Sequence, residues 1–272
     1  MRKIIVTVSF LLIWACSARA QETDDPVVKE HFFSLALETS QITYKEPGFM
    51  RDRGIMAGIS GSYDYTGLSP WRFGADLKVN GGKLDYTSNG TGSMNGDKDY
   101  IVEVRGKAGY DIDWKKLVLT PYLGVGYRFL SDDSHNRQTT TGDWGYRRES
   151  NYFYLPLGVT ASVKMPKGWT LTPCGEYDIF IRGAQFSRLQ DVDENYNNLH
   201  NRQSRGYGLR CSFKVAKTIN KKLSVAIEPF FRYWNIKQSR RTDLVYDNVI
   251  IGYGYEPKNI SDEIGCKIGV EF

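Results

Sequence analysis

An alternation with period two runs through this chain, and no other feature restricts its fold so tightly. In the closing segment EIGCKIGVEF, Ile264, Cys266, Ile268, Val270 and Phe272 fall on one face, and Glu263, Gly265, Lys267, Gly269 and Glu271 on the other. In RFGADLKVN, Phe73, Ala75, Leu77 and Val79 oppose Arg72, Asp76 and Lys78. In YIVEVRGKAGYDI, Val102, Val104, Ala108 and Tyr110 oppose Glu103, Arg105, Lys107 and Asp111. In YGLRCSFKV, Tyr207, Leu209, Cys211, Phe213 and Val215 oppose Arg210, Ser212 and Lys214. Successive side chains of a strand point to opposite sides, so each segment reads as a strand with one apolar and one polar face.

An apolar sheet face must be covered by protein or by lipid, and the composition favours lipid. Aromatic residues make up 14% of the chain, with 18 Tyr and 27 Gly, yet the mean hydropathy is −0.44. A cylinder that is greasy outside and polar inside produces that mixture. No segment after residue 20 approaches the ~18 apolar residues of a spanning helix. The first twenty residues differ in kind: Arg2 and Lys3, an apolar run over 4–14, then the small-x-small pattern Ala18-Arg19-Ala20. That is the layout of a secretory signal peptide, so export is expected. Without Arg2, Lys3 and Arg19 the 36 basic residues fall to 33 against 31 acidic, a balance of +2. Such a balance gives no reason to expect a nucleic-acid partner. Cys174, Cys211 and Cys266 remain, an odd count without CxxC spacing, so neither a disulfide framework nor a metal site is expected.

The periodicity predicts ten strands, over 31–45, 53–66, 70–84, 99–113, 116–131, 147–165, 168–184, 204–218, 222–239 and 260–272. Short turns (TGLSP, DWKK, MPKG, NKK) alternate with long polar loops over 85–98, 132–146, 185–203 and 240–259, and a medium connection covers 46–54. Pro121, Pro173 and Pro229 recur about every second strand and are expected to mark bulges or bends. Trp71, Trp114 and Trp169 stand at or beside short turns, and an indole favours the headgroup level of a bilayer.

Together these features resemble a Gram-negative outer-membrane β-barrel. The final IGCKIGVEF resembles the carboxy-terminal signal read by the barrel-assembly machinery, with Phe272, Val270 and Ile268 as its apolar positions. The resemblance implies an all-β fold, a ten-stranded antiparallel transmembrane up-and-down β-barrel with short periplasmic turns and long extracellular loops, in the cell outer membrane. It divides the chain into a signal peptide (1–20), a periplasmic N-terminal extension (21–30) and the outer-membrane barrel (31–272). It implies outer-membrane lipid and lipopolysaccharide as partners, the assembly machinery during biogenesis, and no cofactor. Ten strands are also the number in omptins, the outer-membrane proteases, and the chain is similar to small barrel proteins grouped loosely with porins.

The polar face would line the lumen. Glu103, Arg105, Arg128, Glu176, Arg210, Glu228, Arg232 and Lys267 fall there, with Arg182 and further residues of both signs. Charges held away from bulk water must pair, so a filled or very narrow lumen is expected. A structural, surface-interaction or narrow-channel role follows, with a small porin as one alternative. The other is an omptin-like endopeptidase. In SDDSH, Asp133 precedes His135 by two residues, so on an extended segment the carboxylate and imidazole share a face. Asp97 and Asp99 form a second acidic pair in NGDKDY. Omptins use an Asp–His couple and an acidic pair around a water nucleophile, which would make these four residues catalytic. Seven arginines (137, 147, 148, 188, 202, 240 and 241) lie in or beside the long loops, where phosphate of the outer leaflet is a natural counterion. The segments YKEP (44–47) and YGYEP (253–257) would meet if the last strand pairs with the first.

Overall fold

The computed structural model describes residues 30–272, so the expected signal peptide (1–20) and nearly all of the expected N-terminal extension (21–30) lie outside the described residues. Among the described residues fourteen strands form: β1 His31–Glu46, β2 Met50–Leu68, β3 Trp71–Ser88, β4 Gly92–Tyr110, β5 Ile112–Trp114, β6 Leu117–Asp133 and β7 Arg147–Met165. They continue as β8 Trp169–Ser187, β9 Leu199–Gln203, β10 Gly206–Asn220, β11 Leu223–Ile236, β12 Thr242–Tyr246, β13 Val249–Gly254 and β14 Asn259–Glu271. Ten make the wall, in the order β1-β2-β3-β4-β6-β7-β8-β10-β11-β14, with β5 extending the hairpin between β4 and β6. β14 pairs antiparallel with β1, from Ser34↔Glu271 to Lys45↔Ile260, and closes the cylinder. Beyond that ladder the backbones of Phe33 and Phe272 exchange two hydrogen bonds of 2.8 and 2.9 Å. Closure removes the free edges that lipid cannot satisfy.

The apolar face of each wall strand looks outward. Leu37, Leu123, Val125, Ile264 and Ile268 are each more than 60% exposed, a cost in water and a fit to lipid. Aromatic residues edge this belt. At the end of the short turns stand Trp71, Trp114 and Trp169, all exposed, with Trp71 edge-on to Tyr110 and Phe33 stacked on Phe272. At the other end, ring contacts join Tyr100 to Phe129, Tyr127 to Phe153, and Tyr177 to Tyr207 to Tyr233.

Three expectations need correction. The connections over 46–54 and 85–98 are mostly ladder: β2 begins at Met50, β3 runs to Ser88 and β4 starts at Gly92. Above the lipid both wall faces meet polar surroundings, so hydropathy stops alternating while backbone pairing continues. Within the remaining loops β9 adds to β8, and β12 and β13 form a hairpin whose turn residues Asp247 and Asn248 have φ of 47° and 62°, the left-handed pair of a two-residue turn. Second, Pro121, Pro173 and Pro229 sit in unshifted register opposite Val159, Phe213 and Cys266. An outward-facing proline forgoes a donor without displacing its neighbours. The shift falls instead in β8, where Phe153 pairs with Arg182 and Tyr154 with Phe180. This bulge at Ile181 reverses the parity beyond it. Arg182 therefore leaves the lumen and lies over the Phe153 ring, 4.7 Å from its centroid.

Candidate functional site: a filled lumen beneath an acidic mouth

The inward face of the membrane-level wall is cross-braced by ion pairs. Arg210 on β10 donates to Asp178 at 2.6 Å and, across the lumen, to both oxygens of Glu103 on β4 at 2.5 and 2.9 Å. Tyr154 donates to Glu103 at 2.8 Å. Arg105 on β4 donates to Asp76 at 2.7 and 3.0 Å and to Glu176 on β8 at 2.6 Å, and Tyr122 caps Glu176 at 2.6 Å. One layer further out, Arg232 donates to Glu38 at 2.7 Å and Glu263 at 3.2 Å, while Lys78 reaches Glu263 at 3.2 Å. Ser40 and Asn80 donate to the same two carboxylates. Arg128 is buried beside them with its guanidinium 5.7 Å from the Trp234 ring centroid. Toward the short turns Lys267 pairs with Glu228 at 3.2 Å, Lys214 with Glu271 and Arg72 with Asp111, around a cavity of about 300 Å³.

Above the charged layers the lumen becomes apolar. Ile42, Met56, Leu84, Ile101 and Leu130 pack on one side, and Tyr152, Phe180, Trp234 and Ile236 on the other. On this floor stands a group of carboxylates. Asp99 and Asp132 face each other across one rung of the β4–β6 ladder, and Asp52 and Asp97 are buried beside them. Burial first, and then the nearby Asp132 carboxylate, pushes Asp52 up to about 8. The same causes lift Asp99 well above the usual carboxylate range. Burial raises Asp132 to about 6 against the pull of Arg148, and Asp97 to about 6 against that of Arg137.

The YKEP and YGYEP segments meet at the seam, as their sequence positions imply. Tyr44 donates to Glu256 at 2.9 Å, and Arg148 bridges Glu256 at 3.0 Å and Glu46. Burial, only partly offset by Arg148, pushes Glu256 up to about 7.

Asp97 and Asp99 are lumen-facing on β4. Asp133 ends β6 opposite Lys98, on the alternate side of the wall from Asp99. Its link to His135 is a hydrogen bond of 3.2 Å from the His135 backbone N–H, not from the imidazole. Of the loop arginines, Arg137 pairs with Asp97, Arg147 with Asp191, Arg188 with Glu149 and Arg148 with the seam acids. Sequence reasoning missed Asp52, Asp132 and Arg148 as inward residues. Counting parity upward from Met56, Leu130 and Tyr152 would have found them.

Comparison with known proteins agrees with this architecture. Residues 8–213 match the family described as Outer membrane protein beta-barrel domain. The outer membrane protease OmpT of Escherichia coli superposes with a TM-score of 0.62 at 12% identity, over 92% of this chain and 99% of that one. The translocator domain of the autotransporter NalP of Neisseria meningitidis gives 0.47 at 12% identity, over 90% and 88%. Ail, the attachment invasion locus protein of Yersinia pestis, gives 0.34 at 9% identity, over 90% and 100%. No curated protein matches the sequence. With the family matched over most of its length and a closed ten-stranded wall wearing its apolar side outward, the chain belongs to the outer membrane protein β-barrel domain family.

Proposed function

We propose that the protein is a closed, non-conducting barrel that works at the cell surface through the part of its wall rising above the lipid. The cross-lumen bracing carries this reading. Arg210–Glu103 and Arg105–Glu176 tie non-neighbouring wall strands across the membrane-level lumen, and Lys78–Glu263 ties β3 to β14 one layer above. An eight-stranded barrel is just filled by side chains and a sixteen-stranded one leaves a channel, so ten strands lined by arginine and glutamate fall on the filled side. In planar bilayers at neutral pH the purified protein is expected to give no conductance steps. Steady steps that scale with protein added would replace this reading with that of a small porin.

A second reading, surface endopeptidase, is favoured by the facing Asp99 and Asp132 and the adjacent Asp97 in an outward-opening mouth. Buried carboxylates of raised pKa suit proton transfer to and from water. The resemblance to omptins would give Asp97, Asp99, Asp133 and His135 this role, of which Asp97 and Asp99 line the mouth while Asp133 lies on the alternate side of the wall from Asp99. The test is cleavage of a fluorogenic peptide library between about pH 5 and 8. Loss of cleavage in both Asp99→Asn and His135→Ala supports a peptidase, while equal background in wild type and both variants removes it.

A further inference from the structure

The rim of the barrel at its short turns is electrically lopsided. Three successive turns carry lysine: Lys115 and Lys116 join β5 to β6, Lys167 lies between β7 and β8, and Lys221 and Lys222 join β10 to β11. Lys164 at the end of β7 and Lys217 near the end of β10 fill the gaps. The Lys164 N–H donates to the Lys116 carbonyl at 3.1 Å, and Lys217 Nζ donates to the Lys167 carbonyl, so the three turns form one continuous arc. Neighbouring strands lie ~4.8 Å apart, which sets successive turns about 10 Å from each other. Over residues 113–116, 164–168 and 217–222, seven lysines meet one acid, Asp113, for a net charge of +6. Six of the seven are exposed, and Lys217 is half-buried with its ammonium 5.4 Å from the Trp169 ring centroid. Among the described residues none of the seven has a carboxylate in ion-pair range. The lysines of this end that do pair, Lys214 with Glu271 and Lys267 with Glu228, face the lumen instead. Lys115 and Lys167 also hold left-handed backbone positions, with φ of 57° and 60°. Glycine or asparagine is the usual residue there, so a cation stands where the backbone alone favours another side chain.

The arc covers only part of the rim, and this points to its partner. The remaining short turn, over 66–70, and the adjoining ends of β1 and β14 hold no lysine, and Arg72 beside them is neutralised by Asp111. Lipid surrounds a barrel on every side, so cations serving headgroups would run all the way round. Charge on one side fits a single docked polyanion. Exposed Trp114 and Trp169 mark the headgroup level, and the turns project past them into the periplasm. The arc contains no arginine, hence no rigid fork to grip one anion in fixed geometry. Flexible ammonium groups spaced along an arc suit an anion repeated along a chain, where contacts that are weak singly add through multivalency.

We propose that the lysine arc is a docking surface for the carboxylate-bearing peptide stems of the periplasmic cell-wall polymer, and that it ties the barrel to the wall. This role is independent of what the opposite, cell-surface end does. The full-length barrel in phosphatidylcholine nanodiscs is incubated at low salt with insoluble cell-wall sacculi, and the fraction that sediments with them is measured. The wild type is expected to sediment about fivefold more than the variant Lys115→Gln/Lys116→Gln/Lys167→Gln/Lys221→Gln/Lys222→Gln, and about fivefold more than with sacculi whose carboxylates have been amidated. A control removes as many exposed cations from the other end of the barrel, Lys45→Gln/Arg51→Gln/Arg53→Gln/Lys83→Gln/Lys98→Gln, and is expected to sediment like wild type. Heat-modifiable migration reports folding; if the first variant does not fold, Lys221→Gln/Lys222→Gln is expected to show a partial loss. Equal sedimentation of wild type and lysine variant, undiminished binding to amidated sacculi, or an equal loss in the control overturns the docking surface. If the lysine variant keeps its sedimentation but loses phosphatidylglycerol retained per barrel, counted by native mass spectrometry, the lysines belong to inner-leaflet headgroups and the wall assignment fails.

Discussion

Replacing Arg210 by Ala is expected to lower the unfolding free energy of the barrel by about 3–5 kcal/mol, the usual cost of removing one partner from a buried ion network. The guanidinium serves Glu103, Glu176 and Asp178 at once and accepts its surroundings only because all three are there. Its loss leaves three carboxylates crowded beside the Tyr154 ring, which also lies over Gly126, where a side chain would collide with it. Urea midpoints of the barrel in vesicles measure the effect. Double replacement with Glu103→Gln should restore part of the loss, since one stranded charge goes with it. A shift below about 1 kcal/mol would mean that water already screens the layer, and the filled-lumen reading would fail with it.

The second large effect is expected from pH at the mouth. Burial pushes Asp52 up to about 8 and Asp97 and Asp132 up to about 6, all above the unfolded value of about 4. Between those limits the native state holds more protons than the unfolded chain, so these groups make stability fall as pH rises. The groups facing them are Arg148, Arg137, Glu46, Asp85, Asp99 and Asp133, and the two arginines offset only part of the repulsion. Urea midpoints are therefore expected to decline from about pH 5 to pH 9. Asp52→Asn should flatten the decline and gain on the order of 1–3 kcal/mol near pH 8.5, with little change near pH 5. A wild-type midpoint that climbs with pH over this range would contradict the arrangement.

Much of the wall was legible because lipid enforces a strict code. Every outward position in the closing segment, and the inward row Glu103, Arg105, Glu176, Arg210 and Arg232, follows from parity alone. The code fails in two physical circumstances. A bulge inserts a residue without any compositional mark, so Arg182 was read as inward although Ile181 turns it out. Above the lipid, polar residues occupy both faces, and Arg-Asp-Arg over 51–53 carries no hydropathy signal although Asp52 points in and its neighbours out. The acidic mouth lay in that blind zone. Asp97 and Asp99 stood out as an acidic pair in NGDKDY, while Asp52 and Asp132, their physical companions, were passed over as loop.

The lumen is obstructed by side chains anchored on the wall strands themselves, with no separate domain or inserted helix among the described residues to swing aside. On the proposed reading of a non-conducting barrel, leakage and melting are a single event: solute crosses only when the stave pairs holding the cylinder round let go, and the onset of permeability during heating marks the loss of the native state itself.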